Sequence, residues 1–66
     1  MPFINIKMTP GPTLEQKAKL ISEITKLVVD ILGKNPATTH VVIEEVSADN
    51  WGIAGETVAS RKKRGA

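Results

Sequence analysis

The sequence predicts one α+β domain of the β-α-β type over residues 1–66, with two parallel strands, one long helix and a short C-terminal hairpin. Residues 3–8 alternate between apolar side chains and others, which is the period of a half-buried strand. Residues 14–32 repeat apolar side chains at three- and four-residue spacings, and residues 40–46 form a largely β-branched run. Because a helix separates the two strands, they should pair in parallel through a right-handed crossover.

The first predicted strand directs Ile4, Ile6 and Met8 to one face of the sheet. Phe3 and the polar positions of the strand face the other way. The segment "TPGP" follows at 9–12, and two prolines around a glycine cannot continue a ladder of backbone hydrogen bonds. The strand therefore ends at Met8.

The predicted helix has both a start signal and a stop signal. Thr13 is a favourable N-cap, and Gln16 three residues later completes a Thr-x-x-Gln capping box. Gly33 lies just past the last apolar repeat, where a left-handed C-cap is favoured, and Pro36 prevents the helix from resuming. The helix should therefore run for about five turns.

The second predicted strand, "HVVIEEV" from His40 to Val46, is nearly continuous in its apolar character, which is typical of a strand paired on both sides. It should therefore be the central strand. The single helix can cover only one face of the sheet, so the face that carries Phe3 has no second layer within the chain. We expect another subunit to cover it.

The segment "DNWGIAGE" at 49–56 has the composition of a turn but includes Trp51, the only tryptophan, and Ile53. A lone tryptophan in such a place most often fills the end of a core or a subunit contact. The residues "ETVAS", which begin at Glu56, could form a short last strand or a hairpin arm. The segment "RKKRGA" at 61–66 is predicted to be a flexible basic tail.

A chain of 66 residues needs something to supplement its small core. There is no cysteine, so disulfides and thiolate zinc sites are excluded, and His40, the only histidine, cannot form a metal cluster by itself. We expect no metal and no cofactor. Self-association is the supplement that remains.

The formal charge of +2 is concentrated near the C-terminal end, where four of the nine basic residues occupy positions 61–64. Four adjacent cations would attract phosphate groups. The helix has no basic face, however, and the chain has only two aromatic residues for stacking, so we expect no nucleic-acid partner. We find no signal peptide and no run of about 18 apolar residues, and we expect a cytoplasmic protein with no membrane span.

A proline directly follows the first methionine. A small residue in second place normally allows removal of the methionine, which would leave Pro2 with a free secondary amine at the chain terminus. Such an amine is a possible catalyst. Alternatively, Pro2 simply begins an edge strand, a position where its missing N–H is tolerated.

Four features occur in order along the chain: Pro2 before a strand, "EQK" at 15–17 in a capped helix, "IEEV" at 43–46 ending a strand, and "NWGIAGE" at 50–56. Together they resemble the tautomerase superfamily, specifically the small 4-oxalocrotonate tautomerase (2-hydroxymuconate tautomerase) type. The resemblance extends from Pro2 to about Ser60. It implies a β-α-β protomer, pairs of protomers that join their sheets, and a hexamer made of three such pairs.

The resemblance also implies the chemistry. Pro2 would act as the general base that moves a proton between positions of a small enol or α-keto acid. Burial near positive charge can lower the pKa of such an amine by as much as about 3–5. Trp51 and Ile53 occupy positions where the family places pocket residues, so the resemblance implies that they bind substrate.

Two arginines hold the substrate in the 4-oxalocrotonate tautomerases, and both are missing from this chain. Pro12 stands at the first of those positions and His40 at the second. An imidazole can donate one hydrogen bond, or carry a charge when protonated, but it cannot reproduce the two-pronged grip of arginine. His40 is therefore a candidate substrate-binding residue, and Lys7 or Arg61 could supply another cation. The loss of both arginines also motivates an alternative function, a catalytically weak or inactive oligomer that acts as a scaffold.

Overall fold

The structure, a computed structural model, describes residues 1–65. The helices and strands, in chain order, are β1 (Phe3–Met8), α1 (Leu14–Leu32), β2 (His40–Glu45), β3 (Gly52–Ile53), β4 (Glu56–Thr57) and α2 (Val58–Lys63). One short 3-10 turn lies before β2 and another lies after it.

Strands β1 and β2 form a parallel pair, in a register that aligns Phe3 with His40 at one end and Met8 with Glu45 at the other. Two backbone hydrogen bonds extend the ladder beyond the strands. The His40 N–H donates to the Pro2 carbonyl at 3.0 Å, and the Val46 N–H donates to the Met8 carbonyl at 2.8 Å. The predicted β-α-β arrangement with two parallel strands is confirmed.

Both ends of α1 follow the sequence signals. The Gln16 N–H donates to Thr13 Oγ1 at 3.1 Å, and the Thr13 N–H donates to Gln16 Oε1 at 2.9 Å, which completes the capping box. At the other end Gly33 takes a left-handed conformation with φ of 65°, and its N–H donates to the Val29 carbonyl at 3.0 Å. These local interactions satisfy backbone groups that a helix terminus would otherwise leave unpaired.

Helix α1 covers one face of the β1–β2 pair. Ile4, Ile6 and Met8 are half-buried on that face, and Lys17 of α1 reaches across to Glu45 of β2 with a separation of 3.4 Å. On the opposite face the Phe3 side chain remains 66% exposed. The open sheet face predicted from the sequence is therefore present in the protomer.

The protomer has an incomplete core, since no side chain of residues 1–65 is fully buried. Its accessible surface is 4908 Å², compared with about 4,100 Å² for a compact monomer of the same mass. Its radius of gyration is 15.3 Å, compared with about 11 Å for a compact chain of this length. The protomer thus leaves apolar surface uncovered.

The C-terminal region confirms the hairpin but corrects the prediction for the segment after it. Strands β3 and β4 pair in antiparallel fashion, and the turn between them contains Ala54 and Gly55 with φ of 53° and 82°. The chain then forms α2 through Lys63, where the sequence predicted a flexible basic tail at 61–66. The Thr57 hydroxyl caps this helix, accepting from the Ser60 N–H at 3.1 Å, and α2 packs against the 3-10 turn Ala48–Asn50 and against β4. Position 66 lies outside the described residues.

Within residues 1–65, neither helix is long and apolar enough to cross a membrane. The same residues contain no cluster of three or more acidic or histidine side chains that could hold a metal ion.

Candidate active site

Pro2 lies at the edge of the sheet where both parallel strands begin. Its carbonyl accepts the hydrogen bond from the His40 N–H at 3.0 Å, and its ring is half-buried. His40 is aligned with Phe3 in the register, and its side chain is exposed. The structure therefore brings Pro2 and His40 to one end of the protomer, as neighbours across the strand pair.

The nitrogen of Pro2 is chemically inert as long as Met1 is attached, because an acylated proline nitrogen is an amide without a basic lone pair. The Met1 side chain is 87% exposed and packs against little of the protein. Removal of Met1 would therefore disturb few contacts and would convert the Pro2 nitrogen into a secondary amine.

Trp51 lies at the opposite end of the strands. It follows the 3-10 turn Ala48–Asn50, and its carbonyl accepts a hydrogen bond from the Val58 N–H at 2.7 Å. Ile53, in the adjoining hairpin, is 47% exposed. An open cavity of about 310 Å³ is lined by Lys7, Val46, Asn50, Trp51 and Gly52.

The two halves of the expected site are far apart within one protomer. Pro2 precedes β1, whereas Lys7, which lines the Trp51 cavity, lies five residues further along the chain. At a strand rise of about 3.3 Å per residue, this separation is roughly 16 Å. Pro2 and Trp51 therefore do not share a cavity within the protomer.

A polar cluster occupies the part of the open sheet face nearest the Trp51 cavity. Glu44 Oε1 accepts hydrogen bonds from Lys7 Nζ at 2.9 Å and from Asn5 Nδ2 at 3.2 Å. The hydrogen bond from Lys7, supported by the one from Asn5 and by the charge of Lys7, lowers the pKa of Glu44 below its ordinary value. The cluster thus holds one ammonium group beside the cavity, already paired with a carboxylate.

Lys7 is a residue whose location the sequence did not predict. The alternation of β1 indicated only that it lies on the same face as Phe3. Its proximity to Trp51 depends on where the chain returns after β2, which strand periodicity does not specify. The structure adds Lys7 and Asn50 to the residues around Trp51.

A second open cavity, of about 290 Å³, lies beside Pro12. Its wall contains one cation, Lys17, which is paired with Glu45 at 3.4 Å. The remainder of the wall is largely apolar. The lining residues are Met8, Pro12, Gln16, Lys17 and Leu20.

Comparison with known proteins relates the whole chain to one family. The family model described as "Tautomerase enzyme" matches residues 2–61. The chain is 58% identical over 65 residues to probable tautomerase K2 of Dickeya dadantii strain 3937, an alignment that covers 97% of each protein.

Solved structures show the same likeness. A structure from a study of the 4-oxalocrotonate tautomerase isozymes of Methylibium petroleiphilum superimposes with a TM-score of 0.91 at 32% identity, covering 96% of this chain and 98% of that one. A heterohexamer 4-oxalocrotonate tautomerase from Chloroflexus aurantiacus J-10-fl superimposes with a TM-score of 0.83 at 27% identity, covering 89% of this chain and 95% of that one.

Proposed function

The chain belongs to the tautomerase family, and we propose that it is an isomerase in which Pro2, after removal of Met1, is the general base for proton transfer on a small enol or α-keto acid. The observation that carries this proposal is the position of Pro2. It is half-buried at the end of the strand pair, beside His40, and is tied there by the hydrogen bond to its carbonyl. A base held in this way has a fixed direction of approach to its substrate.

The proposed reaction requires a neutral amine near pH 7, although a free secondary amine in water is mostly protonated. An apolar environment disfavours the ammonium form and lowers its pKa, and nearby positive charge acts in the same direction. Trp51 and Ile53 provide apolar surface of the required kind, and the exposed part of Ile53 is available to a second chain. A base whose pKa lies near the working pH transfers protons most efficiently.

We propose that two protomers complete each site. An antiparallel arrangement of two sheets about a two-fold axis would place the Pro2 end of one protomer beside the Trp51 end of its partner. The incomplete core supports such an assembly, because the protomer leaves Phe3 and other apolar side chains uncovered. Three pairs would form a hexamer, the state that the similar protein from Chloroflexus aurantiacus adopts with nonidentical subunits.

The substrate should carry less negative charge than a dicarboxylate that two arginines would hold. Pro12 supplies no cation, and His40 can supply at most one positive charge, without the two-pronged contact of a guanidinium. Lys7 and Lys17 are each paired with a glutamate in the protomer. We therefore propose that a monocarboxylate enol is preferred, with His40 contacting its carboxylate or enolate oxygen.

The test is the rate of ketonisation of phenylenolpyruvate and 2-hydroxymuconate, followed by ultraviolet absorbance, with protein whose mass confirms the loss of Met1. Pro2→Ala should reduce the rate by about 10²- to 10⁴-fold, the usual contribution of a general base. Pro10→Ala, which changes an exposed loop proline, is the matched control and should keep the wild-type rate. A faster reaction with phenylenolpyruvate would support the monocarboxylate preference.

Equal rates for wild type and Pro2→Ala on both compounds would contradict the catalytic proposal. They would favour the scaffold alternative, which the absence of both arginines motivates. Titration of the Pro2 amine by NMR separates the two functions, because a scaffold has no need of an amine with a lowered pKa.

A further inference from the structure

Glu56 connects the C-terminal hairpin to the helix that follows it. Its carboxylate accepts three hydrogen bonds: from Ser60 Oγ at 2.9 Å, from Arg64 Nε at 2.8 Å and from Arg64 Nη2 at 2.6 Å. The guanidinium therefore binds both carboxylate oxygens, the geometry that makes arginine–carboxylate pairs specific. We call Glu56, Ser60 and Arg64 the C-terminal clamp.

The clamp lies in the part of the chain that packs around the backbone of Trp51. Glu56 of β4 is paired with Ile53 of β3. Strand β3 begins directly after Trp51. Val58, the first residue of α2, donates its N–H to the Trp51 carbonyl at 2.7 Å. Helix α2 also packs against the 3-10 turn Ala48–Asn50 that precedes Trp51. The segment that carries the indole is thus contacted on both sides, and the clamp joins the first turn of α2 and its C-cap residue to the hairpin.

Arg64 lies outside the part of the chain that the family model matches, which ends at residue 61. The clamp therefore joins two residues inside that range, Glu56 and Ser60, to one beyond it. The cation that directly precedes Arg64, Lys63, is exposed and makes no ion pair or side-chain hydrogen bond among residues 1–65. This difference between adjacent basic residues allows a charge-matched comparison.

We propose that the C-terminal clamp is a positioning device for Trp51. Arg64 and Ser60 fix Glu56, Glu56 fixes α2 against the hairpin, and α2 holds the indole in the orientation that a bound enol meets. Arg64 and Glu56 are positioning residues, since they act through Trp51 and not on the substrate. The effect of the clamp on substrate binding rests on the proposed function. The effect of the clamp on the indole can be measured independently of that function.

The first variant to examine is Arg64→Ala, with Lys63→Ala as the control that removes the same charge from the preceding position. Trp51 is the only tryptophan, so intrinsic fluorescence reports on this residue alone. Arg64→Ala should shift its emission to longer wavelength and raise KM for phenylenolpyruvate by about two- to fivefold, the range expected for a partly exposed ion pair, with kcat unchanged. Lys63→Ala should match wild type in both measurements, and Arg64→Lys should restore part of the loss.

An Arg64→Ala variant whose emission and KM equal those of Lys63→Ala would overturn the proposal. If Arg64→Ala does not assemble, as judged by native mass, the same comparison is made with Glu56→Gln, which keeps the side-chain shape and removes the charge. If Pro2→Ala shows that the chain is not a catalyst, the proposed function fails, whereas the emission difference between Arg64→Ala and Lys63→Ala still decides whether the clamp positions Trp51.

Discussion

At the scale of single residues, Glu44 is the group whose protonation is most directly tied to the open sheet face. The hydrogen bond from Lys7, with the one from Asn5, lowers the pKa of Glu44 below the ordinary value of 4.5. A carboxyl group with a lowered pKa in the folded state stabilises the fold above its unfolded pKa, and this contribution disappears as pH falls through the folded pKa.

We therefore expect Glu44→Gln to be less stable than wild type at pH 7, by a difference that shrinks as the pH falls below 4.5. The pH dependence arises because wild type loses its ionised carboxylate on acidification, while the variant has none to lose. Urea denaturation at several pH values between 7 and 3 would measure it. Glu15→Gln, at an exposed position with no ion pair among residues 1–65, is the control. A stability difference that is constant with pH would show that the carboxylate charge is not responsible.

Single residues also show where sequence reasoning was limited. The alternation of β1 correctly predicted which side chains face α1, because the side-chain period of a strand is a local property. It could not predict that Ala54 takes a positive φ of 53°. Alanine alone does not indicate this conformation, which the tight turn with Gly55 imposes. The pairing of Arg64 with Glu56 was equally hidden, because it depends on how α2 folds back on the hairpin.

At the scale of elements, α1 depends on its N-terminal capping box. The side chains of Thr13 and Gln16 each accept a hydrogen bond from the backbone N–H of the other residue, with N···O distances of 3.1 Å or less. We expect Thr13→Ala to lower the free energy of unfolding by about 1 kcal/mol, within a range of about 0.5–2. Ser22→Ala removes a hydroxyl from an exposed position inside the same helix and should have little effect or a slightly favourable one. The shift of the urea midpoint measures both, and equal shifts would show that the hydroxyl of Thr13 does not act as a cap.

The two helices differ in how well the sequence predicted them, for a physical reason. The 19 residues of α1 carry an apolar repeat, a capping box and a C-cap glycine, all of which are local signals. The 6 residues of α2 are too few to show a periodicity. Its stability comes from contacts with the hairpin and the 3-10 turn, and its basic side chains suggested a solvated tail. Sequence patterns therefore predicted the element that is stable through local signals and missed the one that depends on tertiary contacts.

At the scale of the whole molecule, the need for association was predictable from the short chain and the absence of cysteine. The arrangement of the candidate site was not. Family resemblance indicated Pro2, His40, Trp51 and Ile53, but the structure divides them between two ends of the protomer, roughly 16 Å apart by strand geometry. Only the register of β1 with β2 and the course of the chain after β2 reveal this separation. Within one protomer these residues do not lie together.

The surfaces available for that association include one flank of α1. Leu20, Leu27 and Ile31 lie along this flank, the first two seven positions apart and the last two four positions apart. Leu27 is 57% exposed and Ile31 is 74% exposed. A buried leucine contributes about 1.5–3 kcal/mol relative to an exposed one. Because every protomer presents the same flank, a contact between two copies across a two-fold axis would count this contribution twice.

We expect Leu27→Lys to lower the native mass of the assembly and to reduce its thermal stability, because the change places an ammonium group on a surface that association covers. Leu14→Lys makes the same chemical change at a leucine that is 79% exposed in the first turn of α1, away from this flank, and it should keep the wild-type mass. Native mass spectrometry measures the assembly. The wild-type melting temperature should also rise with protein concentration, since association stabilises the folded chain by mass action. An unchanged mass for Leu27→Lys would exclude this flank from the interface and leave the open sheet face, with Phe3 at its edge, as the surface that joins the protomers.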